Sequence, residues 1–164
     1  EITPLIGPGE KSNVLAQLRA TQVAYAYKID THTLNYWAKE INSGRQTIEN
    51  FENVLRGHLK SMFPNLANQF ESGMTFRQII APYQEILSKE FDGKNVEEFD
   101  FMGDPKWRHV VDYVDEKTGV HRTMSVQELT KYARSQPEWR NTKNAKESVA
   151  QLGEQLLESF GALG

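Results

Sequence analysis

Apolar residues recur every three or four positions along most of this chain, which is the spacing of one face of an α-helix. In the first 62 residues this spacing holds over three stretches, and each stretch ends at a helix-breaking signal. The breaks lie at residues 30–33, at Gly44 and at Pro64. The pattern therefore predicts three helices in this part of the chain.

Three later segments have the sequence of a capping box, in which two residues three positions apart satisfy each other's backbone N–H groups. The boxes begin at Thr75, Ser125 and Asn144, and Asp104 followed by Pro105 marks a further helix start. The box at Asn144 predicts the last helix. The apolar stripe of that helix comprises Val149, Leu152, Leu156, Leu157 and Phe160.

Two segments depart from the helical pattern. Apolar residues flank a turn-rich stretch at 115–119, which is typical of a β-hairpin. Residues 91–104 are acidic and contain glycine, and they predict a loop with Phe99 and Phe101 as anchors. We therefore predict a mostly α fold, a bundle of about five to seven short helices with one candidate β-hairpin near 111–123.

The predicted organisation is one domain or two small subdomains. Its parts are an extended arm at 1–11, an N-terminal helical part at 12–90, the acidic loop at 91–104 and a C-terminal helical part at 105–164. The sequence starts at Glu1 without an initiator methionine, which predicts a processed protein or a segment of a longer one.

The composition limits the classes of function. A content of 38% hydrophobic residues and a mean hydropathy of −0.61 predict a modest core and helix faces that are solvated or bound to a partner. The net charge of −3, with scattered Lys and Arg, argues against a nucleic-acid partner. The absence of cysteine excludes disulfides, thiolate metal sites and a Cys nucleophile, and it fits a reducing compartment. We expect no transmembrane segment, because the apolar runs are short.

No residue pattern indicates catalysis or a bound metal. The histidines, His32, His58, His109 and His121, lack the i, i+4 spacing of a zinc half-site. The acidic run that begins at Asp92 does not place oxygen ligands at the positions of an EF-hand. We therefore expect no catalytic residues, no metal, no cofactor and no small-molecule substrate.

Aromatic residues beside charged ones are the candidates for contacts with another protein. Such residues most often anchor cores, but they also dominate protein interfaces. Trp37, Trp107 and Trp139 each have charged neighbours in the sequence. The candidate interface residues are Trp107, Trp139, Tyr132, Phe160, Phe99 and Phe101.

The order of several short motifs is also informative. They are Leu34-x-x-Trp37, Ser43-Gly44, Gly73-Met74-Thr75 before Pro82-Tyr83, Met124-Ser125, Pro137-x-Trp139, Thr142-x-Asn144-Ala145 and Phe160-Gly161. This order resembles the C-terminal region of tail tape-measure and tail-tip-associated virion proteins of tailed bacteriophages that infect Gram-positive hosts. The block from Trp139 to Ala145 is its most specific part. The chain departs from such proteins in lacking the long heptads of a tape-measure rod and in its hairpin-like insert at 114–123.

The resemblance implies a non-enzymatic structural component of the virion, made in the host cytoplasm and packed in the tail tube or tail-tip complex. Its partners would be other tail proteins in a symmetric oligomer, and its role would lie in tail assembly or genome ejection. Two other classes stay open. One is a helical adaptor or regulatory module that binds one protein partner, and the other is an enzyme or nucleic-acid binder.

Overall fold

The computed structural model describes residues 8–163, with side chains from residue 13 to residue 161. Within these residues it contains eight α-helices, three short 3₁₀ helices and one two-stranded antiparallel sheet. The predicted mostly α fold with a hairpin is therefore confirmed. The chain divides into two compact units between Ile79 and Ile80, and helix α5 contributes to both.

Unit 1 is built from helices that follow one another with short connections. Its elements are α1 (Pro8–Ala24), α2 (Thr31–Asn42), α3 (Ile48–Met62), a 3₁₀ turn (Pro64–Leu66), α4 (Ala67–Glu71) and the first turn of α5 (Phe76–Glu90). The first seven residues of the predicted arm lie outside the described residues. Residues 8–11 belong to α1 rather than to an extended arm, because a proline at the start of a helix removes only an N–H that has no partner within the helix.

The core of unit 1 is apolar and aromatic. Its fully buried side chains include Leu18, Tyr25, Phe51, Leu55, Leu59, Phe63, Leu66, Phe70 and Phe76. Tyr25 is the one with a polar end: its hydroxyl donates to Glu52 Oε1 at 3.0 Å and accepts from Arg56 Nε at 2.9 Å. Burial raises the pKa of this hydroxyl, and the bond to Glu52 raises it further. The end of α1 is thus joined to α3 by packing and by hydrogen bonds.

Unit 2 contains the hairpin and the three C-terminal helices. Its elements are the rest of α5, a 3₁₀ turn (Val96–Glu98), α6 (Pro105–Val111), β1 (Tyr113–Val114), β2 (His121–Arg122), α7 (Val126–Arg134), a 3₁₀ turn (Pro137–Asn141) and α8 (Lys143–Leu163). Strands β1 and β2 are antiparallel, with Tyr113 opposite Arg122. The predicted capping boxes at Thr75 and Ser125 are both present.

The core of unit 2 surrounds an aromatic cluster. The ring of Trp107 lies 5.3 Å from that of Phe99, 6.0 Å from that of Phe91 and 6.2 Å from that of Tyr132, each near-perpendicular. The Tyr132 hydroxyl donates to the carbonyl oxygen of Lys106 at 2.8 Å, which fixes α7 against α6. None of the described helices has the length and apolarity needed to cross a bilayer.

Candidate functional site

Helix α8 has a stripe of large apolar side chains that the described part of the chain leaves exposed. Apart from the half-buried Gly153, every residue from 146 to 161 is exposed. The exposed fractions of the apolar side chains are 70% for Val149, 56% for Leu152, 51% for Leu156, 72% for Leu157 and 68% for Phe160. These five residues are called the α8 stripe below. Contiguous apolar surface of this kind is typical of an interaction site rather than of ordinary surface.

The opposite face of α8 is polar and acidic. Glu147, Gln151, Glu154 and Glu158 follow one another at intervals of three or four residues, so they lie along one line of the helix. All four are exposed. The helix is therefore amphipathic, with one face suited to water and the other to a protein surface.

The first turn of α8 holds the helix to unit 2. Thr142 is buried, its hydroxyl accepts from the Ala145 N–H at 3.1 Å, and Ala145 is itself buried. Thr142 thus caps the helix, with Ala145 at the third helical position. The capping box predicted at Asn144 is wrong, because the helix starts two residues earlier and Asn144 lies inside its first turn.

Asn144 and Asp92 connect the start of α8 to the end of α5. The Asp92 carboxylate accepts from the backbone N–H of Lys143 at 2.7 Å and from that of Asn144 at 3.4 Å. In return, Asn144 Nδ2 donates to the carbonyl oxygens of Lys89 at 2.8 Å and Glu90 at 3.0 Å. The first N–H groups and the last carbonyl groups of a helix have no partner within that helix. Here Asp92 accepts from N–H groups at the start of α8, and Asn144 donates to carbonyl groups at the end of α5.

The backbone at Asp92 is suited to this contact. Its φ of 59° is in the left-handed region, which aspartate adopts more readily than most residues with a side chain. The Gly93 N–H donates to the Ser88 carbonyl at 2.7 Å, which closes the end of α5. The carboxylate also lies at the positive end of the α8 dipole, where a negative charge is favourable.

Glu90, at the end of α5, contacts two residues that precede α8 in the sequence. Its carboxylate accepts from Trp139 Nε1 at 3.2 Å and from Arg134 Nε at 3.2 Å. The Arg134 guanidinium also lies 5.5 Å from the centre of the Trp139 ring. We call the set Glu90, Asp92, Trp139, Thr142 and Asn144 the α8 joint. It fixes the start of α8 through side chains from three segments of unit 2.

Three of the predicted interface residues are in the core instead. Trp107 is 4% exposed, and Phe99 and Phe101 are each 1% exposed. Their prediction as interface residues is wrong for the folded chain, because these rings pack inside unit 2 and are not available to a partner. Glu97, Glu98 and Asp100 are exposed while the rings of Phe99 and Phe101 are buried, so the predicted acidic loop covers the core of unit 2.

The other three predicted interface residues have different surroundings. Tyr132 and Trp139 are half-buried, and both donate hydrogen bonds within unit 2. Burial raises the pKa of Tyr132. Phe160 is the most accessible of the six and belongs to the α8 stripe. The structure therefore brings Trp139 to the joint and Phe160 to the stripe.

The strongest charge cluster of the described residues ties the hairpin to α7. Arg122 donates to both carboxylate oxygens of Glu128, at 2.6 and 2.9 Å, and to Asp115 at 3.1 Å. These bonds, together with those from Ser125, lower the pKa of Glu128 to about 2. Glu128 is also the second residue of the capping box at Ser125. The cluster is structural, since each of its charged groups is paired.

A second surface feature lies in unit 1. A cleft of about 270 Å³ is lined by Tyr27, Trp37, Phe51 and His58, with Lys28 and Asp30 among its polar residues. The rings of Tyr27 and His58 stack at 5.5 Å, and Trp37 meets Phe51 edge-on at 5.3 Å. The cleft therefore combines aromatic and polar lining residues.

Among the described residues, no three His, Asp or Glu side chains lie together as metal ligands would. Comparisons with protein-family models, with curated proteins and with solved structures find no match for this chain.

The sequence pointed to the α8 stripe but missed two residues of the joint. The spacing of Val149, Leu152 and Leu156 already predicted an apolar face. Glu90 and Asp92 gave no such signal, since both are acidic residues at a helix end next to an acidic loop. Their partners lie 44 to 52 residues away in the sequence.

Proposed function

We propose that this chain is a non-enzymatic structural component of a bacteriophage virion, a tape-measure C-terminal segment of the tail tube or tail-tip complex. In this proposal its partners are other tail proteins in a symmetric oligomer, and α8 is the helix that makes the contacts of that assembly during tail assembly or genome ejection. The observation that carries the proposal is the α8 stripe, five exposed apolar side chains on one face of a single helix.

The α8 joint supports the proposed role of α8, because a helix that binds a partner must be held in a defined orientation. Its first turn is held by Asp92 and Thr142, so the stripe is presented in one orientation and less ordering is required on binding. Three residues of the block with the most specific resemblance, Trp139, Thr142 and Asn144, are members of this joint. The most specific part of the resemblance to phage tail proteins thus includes residues that position α8.

Co-expression of the chain with the products of the genes that flank its own tests the proposal. A tail component is expected to purify in a complex with at least one of these proteins. Leu156→Glu, which places a charge in the stripe, should abolish the complex. Gln151→Glu adds the same charge on the polar face and should leave the complex intact. Failure to form any complex, or equal binding by both variants, would contradict the proposed role of α8.

The second candidate function is a helical adaptor that binds one protein partner. The cleft beside Trp37 and His58 favours it, because an exposed aromatic cleft can accept a side chain of a peptide. An adaptor would form a complex with one copy of each protein, and Trp37→Ala would weaken that complex while Leu156→Glu would not. The two variants therefore separate the two functions in the same co-expression assay.

A further inference from the structure

We infer that the α8 stripe is covered by the α8 helices of further copies of this chain, in a homo-oligomeric helical bundle. The inference rests on the proposed function, because it names the partner of the same docking helix. It is carried by the register of the apolar residues, by the placement of the charges and by the width of the exposed face.

The register is that of a helical bundle. With Val149 at position a of a heptad, Leu152 falls at d and Leu156 at the next a, which is the spacing of a short knobs-into-holes seam. Ser159 occupies the following d position, and Leu157 and Phe160 widen the apolar face at b and e. Ala145 occupies the preceding d position and is buried at the joint. The free part of the seam therefore begins where the contact with unit 2 ends.

The charges of α8 permit contact between identical helices. Positions e and g flank such a seam, and between residues 148 and 160 they hold Ser148, Gly153, Gln155 and Phe160, which are uncharged. The acidic side chains lie at c and f, on the outside of a bundle. Lys146 is the charged residue at an e position, at the start of the helix. Beyond Lys146, two copies can approach without like charges meeting, and a charged helix from another protein would find no opposite charge beside the seam.

The width of the face predicts more than one neighbouring helix. At about 100° per residue, the face from Leu152 to Leu157 spans about 140° of the helix surface, which is wider than a seam of a and d positions alone. A bundle of three or more α8 helices would cover this face, whereas one neighbour would leave part of it exposed.

The test is the absolute mass of the purified full chain by light scattering, from about 5 to 300 μM. The wild type is expected to form an oligomer with a mass that is a multiple of the 18.8 kDa monomer and rises with concentration. Leu156→Glu should raise the dissociation constant at least about tenfold, because it places a charge inside the bundle. Gln151→Glu is the matched control and should behave as the wild type. Glutamate and leucine have similar helix propensity, and a circular dichroism spectrum checks that α8 is retained.

Each outcome is decisive. An oligomer that Leu156→Glu dissociates and Gln151→Glu does not supports the inference. A monomer throughout the concentration range overturns it, as does an oligomer that Leu156→Glu leaves unchanged. If the wild type is monomeric but binds a flanking-gene product through Leu156, self-association fails while the proposed function stands.

Discussion

Truncation of two leucines in unit 2 tests whether the α8 stripe lacks a partner within its own chain. Leu129 on α7 is fully buried, whereas Leu156 on α8 is 51% exposed. Leu129→Ala should lower the free energy of unfolding by about 2–5 kcal/mol, because it removes buried methyl groups and leaves a cavity. Leu156→Ala should cost at most about 1 kcal/mol, since it removes a half-exposed side chain, leaves no cavity and introduces the best helix former.

The assay is urea unfolding followed by circular dichroism, at a protein concentration where light scattering shows a monomer. The assay is then repeated at high concentration to compare Leu156 in the monomer with Leu156 in an associated bundle. Association of α8 would make Leu156→Ala lower the free energy of unfolding by more at high concentration, while the effect of Leu129→Ala stays the same. A loss above about 2 kcal/mol for Leu156→Ala in the dilute monomer would refute the reasoning, because it would mean that the stripe is already covered within the chain.

Three further predictions concern the joint, the charge cluster and the backbone. Asn144→Ala should lower the free energy of unfolding by about 1–2 kcal/mol, since two hydrogen bonds to carbonyls of α5 are lost. It should also speed amide exchange in the first turn of α8, and unchanged exchange would contradict a role of the joint in holding that turn. Glu128 has a folded pKa of about 2, below its ordinary 4.5, so its contribution to stability is present above pH 4.5 and is lost as the pH falls towards 2. Glu128→Gln should therefore make the unfolding midpoint fall less steeply as the pH is lowered from 6 to 2. An unchanged slope would count against a lowered pKa for Glu128. Ala26 has a φ of 51°, so Ala26→Gly should stabilise by about 0.5–1 kcal/mol in urea unfolding, whereas Ala20→Gly inside α1 should destabilise by about 1 kcal/mol; a loss at both sites would be evidence against backbone strain at Ala26.

Features that depend on neighbouring residues could be predicted from the sequence. The capping boxes at Thr75 and Ser125 each involve residues only three positions apart, so their geometry is set by the helix itself. The hairpin follows from a turn at Asp115, whose side chain accepts from the N–H of Lys117 at 2.8 Å. The apolar stripe of α8 could be predicted for the same reason, because it follows from residues three or four positions apart.

Features that depend on distant segments could not be predicted. Trp107 and Trp139 have similar charged neighbours, yet one is buried in the aromatic cluster and the other is half-buried at the joint. Local charge does not determine which side of a short helix or 3₁₀ turn faces the core. The pairing of Asp92 with the start of α8 spans more than 50 residues, and no periodic pattern encodes a contact at that separation.

The joint also bears on how α8 becomes helical. Forming the first turn of a helix is the costly step, because several residues must be fixed before one hydrogen bond forms. Asp92, after the end of α5, and Thr142, just before α8, supply partners for N–H groups of that first turn. We therefore expect unit 2 to act as a template on which the first turn of α8 forms. The far turns, around Phe160, are then the least protected part of the helix and gain the most order when a partner covers the stripe.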